Sequence, residues 1–169
     1  MRHSAITRAR PGLIALVMLA LAACSDSTVP QPAENAPQEF EYSVSAPEGG
    51  VSTHVQMDGG AVVVRHTEWT YGQSPRTRRV RTVPTAGEWD IFWAAVDAAG
   101  VQRWTGEYEA EGFRDGTGWS LRLAGNGVSI DSHGTNAWPD RDGLEHHLQM
   151  TTDFRAFLDA LGGVTGWEF

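Results

Sequence analysis

Two residue pairings in this sequence have the types needed for catalysis, but neither has a convincing geometry. Ser132 stands directly before His133, yet neighbours on a strand point to opposite sides and cannot act as nucleophile and base. Glu107 and Glu109 share a strand face and could imitate the carboxylate pair of a glycosidase. In a chain with 21 acidic residues, such pairs arise by chance. We therefore predict no catalytic residue and no enzymatic activity.

Metal and phosphate sites are not indicated either. Histidine and aspartate gather in one stretch, at His133, Asp140, Asp142, His146 and His147. Adjacent histidines point to different sides of a helix, and Trp138 stands where a calcium loop needs an oxygen ligand. The glycine-rich residues 112–118 lack the lysine and the following helix of a phosphate loop. We expect neither a metal nor a cofactor.

The segment 133–139 is the first candidate for a binding site. It combines turn residues with a large aromatic side chain, and loops on a rigid scaffold often carry binding residues. In the functional interpretation, Trp138 is the centre of a contact surface, Asn136 offers hydrogen bonds and His133 lies at the rim. In the structural interpretation, Trp138 caps the core and Asn136 forms a turn. The sequence leaves both interpretations open.

Four arginines within residues 76–81 are the second candidate. On a strand, Arg79 and Arg81 would share one face, while Arg76 and Arg78 would share the other. Such a patch on an acidic protein could bind anionic lipid headgroups or an acidic partner. Alternatively, the charges protect an exposed sheet edge against pairing with another chain.

The N-terminus has the composition of an export signal. Three arginines within residues 2–10 precede the apolar run Leu13–Ala23. This run of 11 residues is too short to span a bilayer, which needs about 20. Small residues at its end suit a signal peptidase.

The run ends in Leu21-Ala22-Ala23-Cys24, which resembles the lipobox of bacterial lipoproteins. The resemblance covers residues 1–24 alone. It implies a signal peptide over residues 1–23, cleavage before Cys24, a diacylglycerol on the Cys24 thiol and acylation of the new N-terminus. Two or more acyl chains anchor a protein stably. With Ser25 after the cysteine, the resemblance implies the cell envelope, on the periplasmic face of the outer membrane.

Cysteine count and charge limit what the mature chain can be. Cys24 is the single cysteine, so the domain must be stable without a disulfide. Loss of the signal removes three arginines and no acid, which moves the formal net charge from −8 to −11. Nucleic acid is not an expected partner, because phosphate binding needs a basic footprint. The expected partners are the membrane, through Cys24, and an envelope protein or polymer.

Composition divides the mature chain into a tether and one domain. Residues 24–38 are polar, contain three prolines and predict a lipid-anchored, disordered tether. Residues 39–169 are long enough for a single domain with a sizeable core.

Periodicity predicts an α+β fold. Seven alternating or turn-flanked segments predict strands: residues 40–45, 51–57, 61–66, 76–83, 104–110, 119–123 and 128–132. Asp58-Gly59-Gly60 and Gly125-Asn126-Gly127 are hairpin signals.

Two segments have the periodicity of amphipathic helices. Thr85 and Glu88 match a capping box, and apolar residues from Trp89 to Val96 fall on one face until Gly100 stops the helix. The second helix carries Phe154, Phe157, Leu158 and Leu161, and Gly162-Gly163 is expected to end it. We predict two βββα units, 39–102 and 103–169, forming an antiparallel sheet with both helices on one face. Similar helix ends, at residues 96–100 and 158–162, suggest an internal duplication.

These features favour a non-catalytic binding or interaction domain on a membrane-anchored envelope lipoprotein. Such a domain would cluster exposed aromatic side chains beside an open sheet face or around Trp138. The alternative is an inhibitor or immunity protein against a secreted hydrolase, whose acidic loop at residues 107–115 would enter a basic cleft.

Overall fold

A computed structural model of the protein describes residues 31–46, 50–104, 106–112 and 115–169. The export signal and the predicted lipid attachment site, Cys24, lie outside the described residues. The described residues confirm the α+β class: they form a seven-stranded sheet, a two-stranded ribbon and two α-helices.

The first half of the domain is a meander of four antiparallel strands. They are β1 (Glu39–Ala46), β2 (Val51–Asp58), β3 (Ala61–Glu68) and β4 (Arg76–Thr82). Gly59 and Gly60, at φ +58° and +81°, form the tight turn between β2 and β3. Two consecutive residues of positive φ twist in the same sense as the strands, so the predicted hairpin forms here.

The second half completes the sheet. It contributes β5 (Gly106–Glu109), β6 (Gly118–Gly125) and β7 (Val128–Thr135), and the ribbon strands β8 (Ala137–Pro139) and β9 (Glu145–His147). The sheet order is β4-β3-β2-β1-β6-β7-β5.

The sheet is mixed, whereas the sequence predicts an antiparallel one. The strand β5 pairs with β7 in parallel. The tight turn at Asn126-Gly127 keeps β6 beside β7, and β1 occupies the other edge of β6. The other edge of β7 is free, and β5 pairs there. The strand is also shorter than predicted, because Val101–Arg103 forms a 3₁₀ turn and Trp104 is buried.

The two halves differ in strand order. In the first half each strand lies beside its successor, whereas in the second half β5 lies beside β7 and not beside β6. The helix ends differ as well, since Gly100 follows the first helix at φ +68° and Gly162 lies inside the second.

Both helices begin at a threonine. Helix α1 (Ala86–Ala98) has the predicted capping box, in which Glu88 N–H donates to Thr85 Oγ1 and Thr85 N–H donates to Glu88 Oε2. The Glu88 carboxylate accepts from both the N–H and the hydroxyl of Thr85, and these two bonds lower the pKa of Glu88. Helix α2 (Thr152–Thr165) starts at the N-cap Thr151.

The prediction that Gly162-Gly163 ends the second helix is wrong. Helix α2 continues to Thr165 and ends at Gly166, which has φ +67°. Leu161 and Val164 are buried on the core side of the helix. Glycine lowers helix stability by about 1 kcal/mol relative to alanine, which is less than the burial of two apolar side chains contributes.

Alternation along the strands gives the sheet two different sides. On the side facing the helices, buried apolar side chains run across the strands, from Val64 on β3 through Tyr42 on β1 to Leu121 on β6. We call this the helix side. The opposite side is polar apart from the buried Val63, and neither α1 nor α2 packs against it; we call it the open side. On the open side, Arg122 contacts Glu39, Glu41 and Asp131 at 3.3–3.5 Å.

An aromatic cluster fills the space between the helices and the sheet. Phe157 is central, with ring centroids 5.9 Å from Tyr42, 6.4 Å from Phe92 and 5.6 Å from Trp104. Phe154 stacks on Trp104 at 5.2 Å. These contacts join both helices to the sheet in one core.

The segment before β1 also packs on the domain. Trp93 Nε1 donates to the Asn35 carbonyl, and Asn35 Nδ2 donates to Asp90 on α1. Ala33 and Ala36 are partly buried against the core. The last residues of the predicted tether are therefore attached to helix α1. No helix in the described part of the chain is long and apolar enough to cross a membrane.

Candidate ligand pocket at one end of the sheet

A cavity of about 420 Å³ lies on the helix side of the sheet. It is located where β1 and β3 finish and β2 begins, past the end of the aromatic cluster. We call it the C-terminal pocket, because residues 167–169 form part of its lining.

Three neighbouring strands provide the floor of the pocket. Val44 on β1, Thr53 on β2 and His66 on β3 are direct cross-strand neighbours. They point to the same side because successive strand residues alternate between faces. Val51 extends the floor along β2 toward the end of the sheet.

Loop and helix residues provide the walls. Trp138 on β8, Met150 just before α2 and Leu158 on α2 contribute apolar side chains. Thr151 Oγ1 donates to the Pro139 carbonyl at 2.6 Å, which fixes the start of α2 against the ribbon. This hydrogen bond fixes the positions of β8 and α2, which carry the wall residues, relative to each other.

The last residues fold back over the sheet. Gly166 takes a left-handed conformation, and its N–H donates to the Gly162 carbonyl at 2.8 Å. A side chain is strained at this φ, so glycine is needed for the chain to reverse here. Trp167 then lies 5.0 Å from the His66 ring, and Phe169 lies 5.8 Å from the Tyr42 ring.

The pocket has one polar corner. Thr53 Oγ1 and His66 Nδ1 are 2.8 Å apart, and His66 Nε2 is 3.4 Å from Glu68 Oε1. Tyr42 is also part of the lining, and burial raises the pKa of its phenol. Most of the lining is thus apolar, and the polar contacts concentrate around His66.

A hydroxyl, an imidazole and a carboxylate in a row have the order of a nucleophilic relay. Thr53, however, stands in the middle of β2, with β1 and β3 hydrogen-bonded on either side. Backbone N–H groups in such a ladder already have partners, so they cannot stabilise an oxyanion beside Thr53. The contacts of His66 with Thr53 and Glu68 instead hold the imidazole ring in one orientation.

Exposed aromatic side chains lie at the same end of the sheet. Trp69 and Tyr71 follow β3, and Tyr71 is fully exposed. The Trp69 N–H donates to the Gly50 carbonyl at 2.6 Å, which joins this segment to the start of β2. Most of the other large aromatic side chains are buried in the core.

Trp138 and Asn136, predicted as contact residues, are both largely buried. Trp138 is 7% exposed and Asn136 is 9% exposed. Asn136 has φ +52°, and its side chain accepts from Thr117 N–H and donates to the Asp115 carbonyl. The structure thus places Trp138 in the pocket wall and Asn136 in a clamp between two loops.

His133 and the arginines lie apart from these residues, on the open side. His133 on β7 is 3.6 Å from Glu107 on β5. Arg79 and Arg81 lie on β4, at the opposite edge of the sheet, and Arg79 contacts Asp58 at 3.4 Å. The five candidate binding residues therefore do not form one site.

The other two arginines of β4 point to the helix side. Arg78 lies beside His66 in the strand register, and its guanidinium is 5.3 Å from the centre of the Trp167 ring. Arg76 lies opposite Glu68. The predicted division of the four arginines between two faces matches this strand register.

The proposed acidic loop begins as an edge strand. Glu107 and Glu109 lie on β5, with exposed side chains. Residues 113 and 114 of this segment lie outside the described part of the chain.

A second, polar depression lies beside β9. Asp140 contacts His146 at 2.9 Å and accepts from the N–H groups of Asp142 and Leu144. The hydrogen bond from His146 is the main reason that the pKa of Asp140 is lowered. These bonds shape a turn, and within residues 31–46, 50–104, 106–112 and 115–169 no His, Cys, Asp and Glu group suits a metal ion.

Sequence reasoning did not identify most of the pocket. Thr53, His66, Trp167 and Phe169 were not among the predicted site residues. The sequence does contain a signal for the C-terminal part of the pocket. Trp167 and Phe169 follow Gly166, and large apolar residues just after a helix-ending glycine indicate that the chain folds back onto the domain.

Compared with known proteins, the chain matches no family model, no curated protein and no solved structure.

Proposed function

We propose that this protein is an envelope lipoprotein, anchored through Cys24, whose domain binds a small organic ligand in the C-terminal pocket, mainly through apolar and aromatic contacts. The observation that carries the proposal is a cavity of about 420 Å³ with a mainly apolar and aromatic lining. Ligand sites are typically of this kind, with volumes of about 300–1,000 Å³ and a few polar groups.

The surroundings of the pocket support binding. Its floor belongs to three hydrogen-bonded strands, and a preformed rigid site loses little entropy when a ligand enters. The position of Thr53 in a central strand favours binding over nucleophilic catalysis. We therefore propose a non-catalytic role.

The start of β1 and the pocket lie at opposite ends of the sheet. The chain enters β1 at Glu39, which pairs with Ala124 beside the β6–β7 turn. The pocket lies beyond Val44, at the other end of β1. A lipid at Cys24 would thus anchor the domain from the end of the sheet that is remote from the pocket. The pocket would then be accessible to soluble ligands.

Ligand binding is tested with the neutral, environment-sensitive dye Nile red and the purified soluble domain. The variant Val44→Phe fills the floor of the pocket and is expected to reduce dye affinity at least about tenfold. The control Val83→Phe makes the same change at an exposed position outside the pocket and is expected to leave affinity unchanged. Equal binding by Val44→Phe and the unmodified domain would show that the dye does not enter this pocket.

The anchor is tested separately. In the native host, the full chain is expected to fractionate with membranes and to carry a lipid mass on Cys24. The variant Cys24→Ser is expected to lose the lipid and to retain the uncleaved signal. A soluble, unlipidated mature protein would refute the anchor and leave the binding proposal unaffected.

A further inference from the structure

We propose that the ligand of the C-terminal pocket is an organic cation, with a compact alkylammonium group held against the aromatic rings. This inference rests on the proposed function and names the chemical class of the ligand. It follows from the kind of rings in the lining, from the charges around them and from a cation already in contact with one ring.

Four aromatic side chains line the pocket: Tyr42, Trp138, Trp167 and Phe169. The face of an aromatic ring is negative, and an ammonium ion within about 6 Å of the ring centre is attracted to it. Aromatic-lined pockets of this composition are typical of sites for quaternary ammonium groups. A purely aliphatic lining would bind neutral hydrocarbon equally well and would give no preference for charge.

The charges at the pocket favour a cation. Glu168 lines the pocket, and no arginine does so among the described residues. Asp159 lines an adjoining depression together with Trp167 and Glu168, and Glu68 lies 3.4 Å from His66. Two arginines of β4 lie on the same side of the sheet, Arg76 opposite Glu68 and Arg78 over the Trp167 ring, but neither lines the pocket. An anionic amphiphile such as a fatty acid would therefore meet Glu168 without a cation in the lining, which disfavours it.

Trp167 already contacts one cation. The guanidinium of Arg78 lies 5.3 Å from the ring centre, within the range of a cation–π contact. This contact shows that the ring is placed where a cation can reach it. It also opposes a second cation near the same ring, so removal of the Arg78 charge should strengthen ligand binding.

The test compares choline with 3,3-dimethyl-1-butanol, which has the same shape but a carbon in place of the charged nitrogen. Binding to the purified domain is measured by chemical-shift changes of the indole N–H resonances. Choline is expected to bind about tenfold more tightly than the neutral alcohol. The anion 3,3-dimethylbutanoate is expected to bind more weakly than either.

Three variants connect the preference to the pocket. Glu168→Gln should weaken choline binding about threefold and leave the alcohol unchanged. Glu109→Gln makes the same charge change on β5 and should alter neither ligand. Arg78→Gln should strengthen choline binding, an effect opposite to what simple damage to the pocket would cause.

Equal binding of choline and the alcohol, or tighter binding of the anion, would overturn the cation inference. In either case Nile red binding that is lost in Val44→Phe would still support the proposed function. If the dye binds but none of the three small ligands does, the cation inference is overturned and the proposed function is not. Failure of the dye together with the three ligands would overturn both proposals.

Discussion

The helix side of the sheet contains two regions that differ in how they are filled. Under the helices, aromatic rings from α1, α2 and the sheet pack against one another, and Phe157 contacts rings from four other residues. Where β1 and β3 finish, residues 167–169 lie over the same side of the sheet beside α2, and a cavity of about 420 Å³ remains.

This difference follows from which elements reach each region. Helix α2 ends at Thr165, whose carbonyl accepts from the Thr82 hydroxyl at the end of β4 that lies away from the pocket. At the pocket end, the segment that follows the helix lies over the sheet. A segment of three residues cannot replace a helix, and it contributes rings at 5.0 Å and 5.8 Å from the sheet residues His66 and Tyr42. The packed region stabilises the fold, and the unfilled region is where a ligand can be accommodated.

The largest effect is expected from Phe157→Ala, which opens a cavity in the packed region. Truncation of a fully buried phenylalanine lowers the free energy of unfolding by about 3–5 kcal/mol. Phe169→Ala, in the pocket region, should lower it by only about 1 kcal/mol while it reduces ligand affinity. Urea unfolding of both variants measures the contrast, and equal losses would show that the two regions are packed alike.

A smaller effect is expected from Asn136→Ala. The change leaves the partly buried Thr117 N–H without its acceptor and places alanine at φ +52°. The expected loss of unfolding free energy is about 2 kcal/mol. If Asn136 instead acts as a contact residue, binding would fall while the unfolding free energy stayed the same.

Acid should weaken the ribbon that carries Trp138 to the pocket. The folded-state pKa of Asp140 is lowered by His146, so its carboxylate stabilises the fold above the ordinary pKa of about 4 and loses this effect as the pH falls through the folded value. We expect Asp140→Asn to be less stable at neutral pH. The difference from the unmodified protein should shrink below about pH 4.

Thermal unfolding at several pH values measures this dependence. Glu145→Gln, on the adjacent strand of the ribbon, removes the same charge from a carboxylate that contacts His147 and not His146, and it serves as the matched control. A difference between Asp140→Asn and the unmodified protein that stays constant with pH would contradict the assignment of the stabilising charge.

The smallest effect is expected on the open side. The double variant Arg79→Ala/Arg81→Ala should change the unfolding free energy by less than about 0.5 kcal/mol and leave pocket binding unchanged. Arg79 has one contact at 3.4 Å with a carboxylate that is itself half exposed. A large loss of stability would show that the open side contributes to the core, contrary to its solvent exposure.

Local features of the structure were predictable from local sequence. Six of the seven predicted strands and the start of the first helix appear close to their expected positions, because alternation, turn glycines and the Thr85 cap act within a few residues. The division of the β4 arginines between two faces also follows from strand geometry alone. The predicted end of α2 was wrong because buried Leu161 and Val164 outweighed two glycines.

The sequence by itself thus determined the elements, the α+β class, and the signal and lipobox resemblance at Cys24. The pocket was decided only by the tertiary structure, because its parts are far apart in the chain. Thr53 and His66 meet through strand register, and Trp167 reaches His66 from about a hundred residues away. Such contacts depend on which strand edges remain free and on where a helix ends relative to the sheet, and neither is encoded in any single segment.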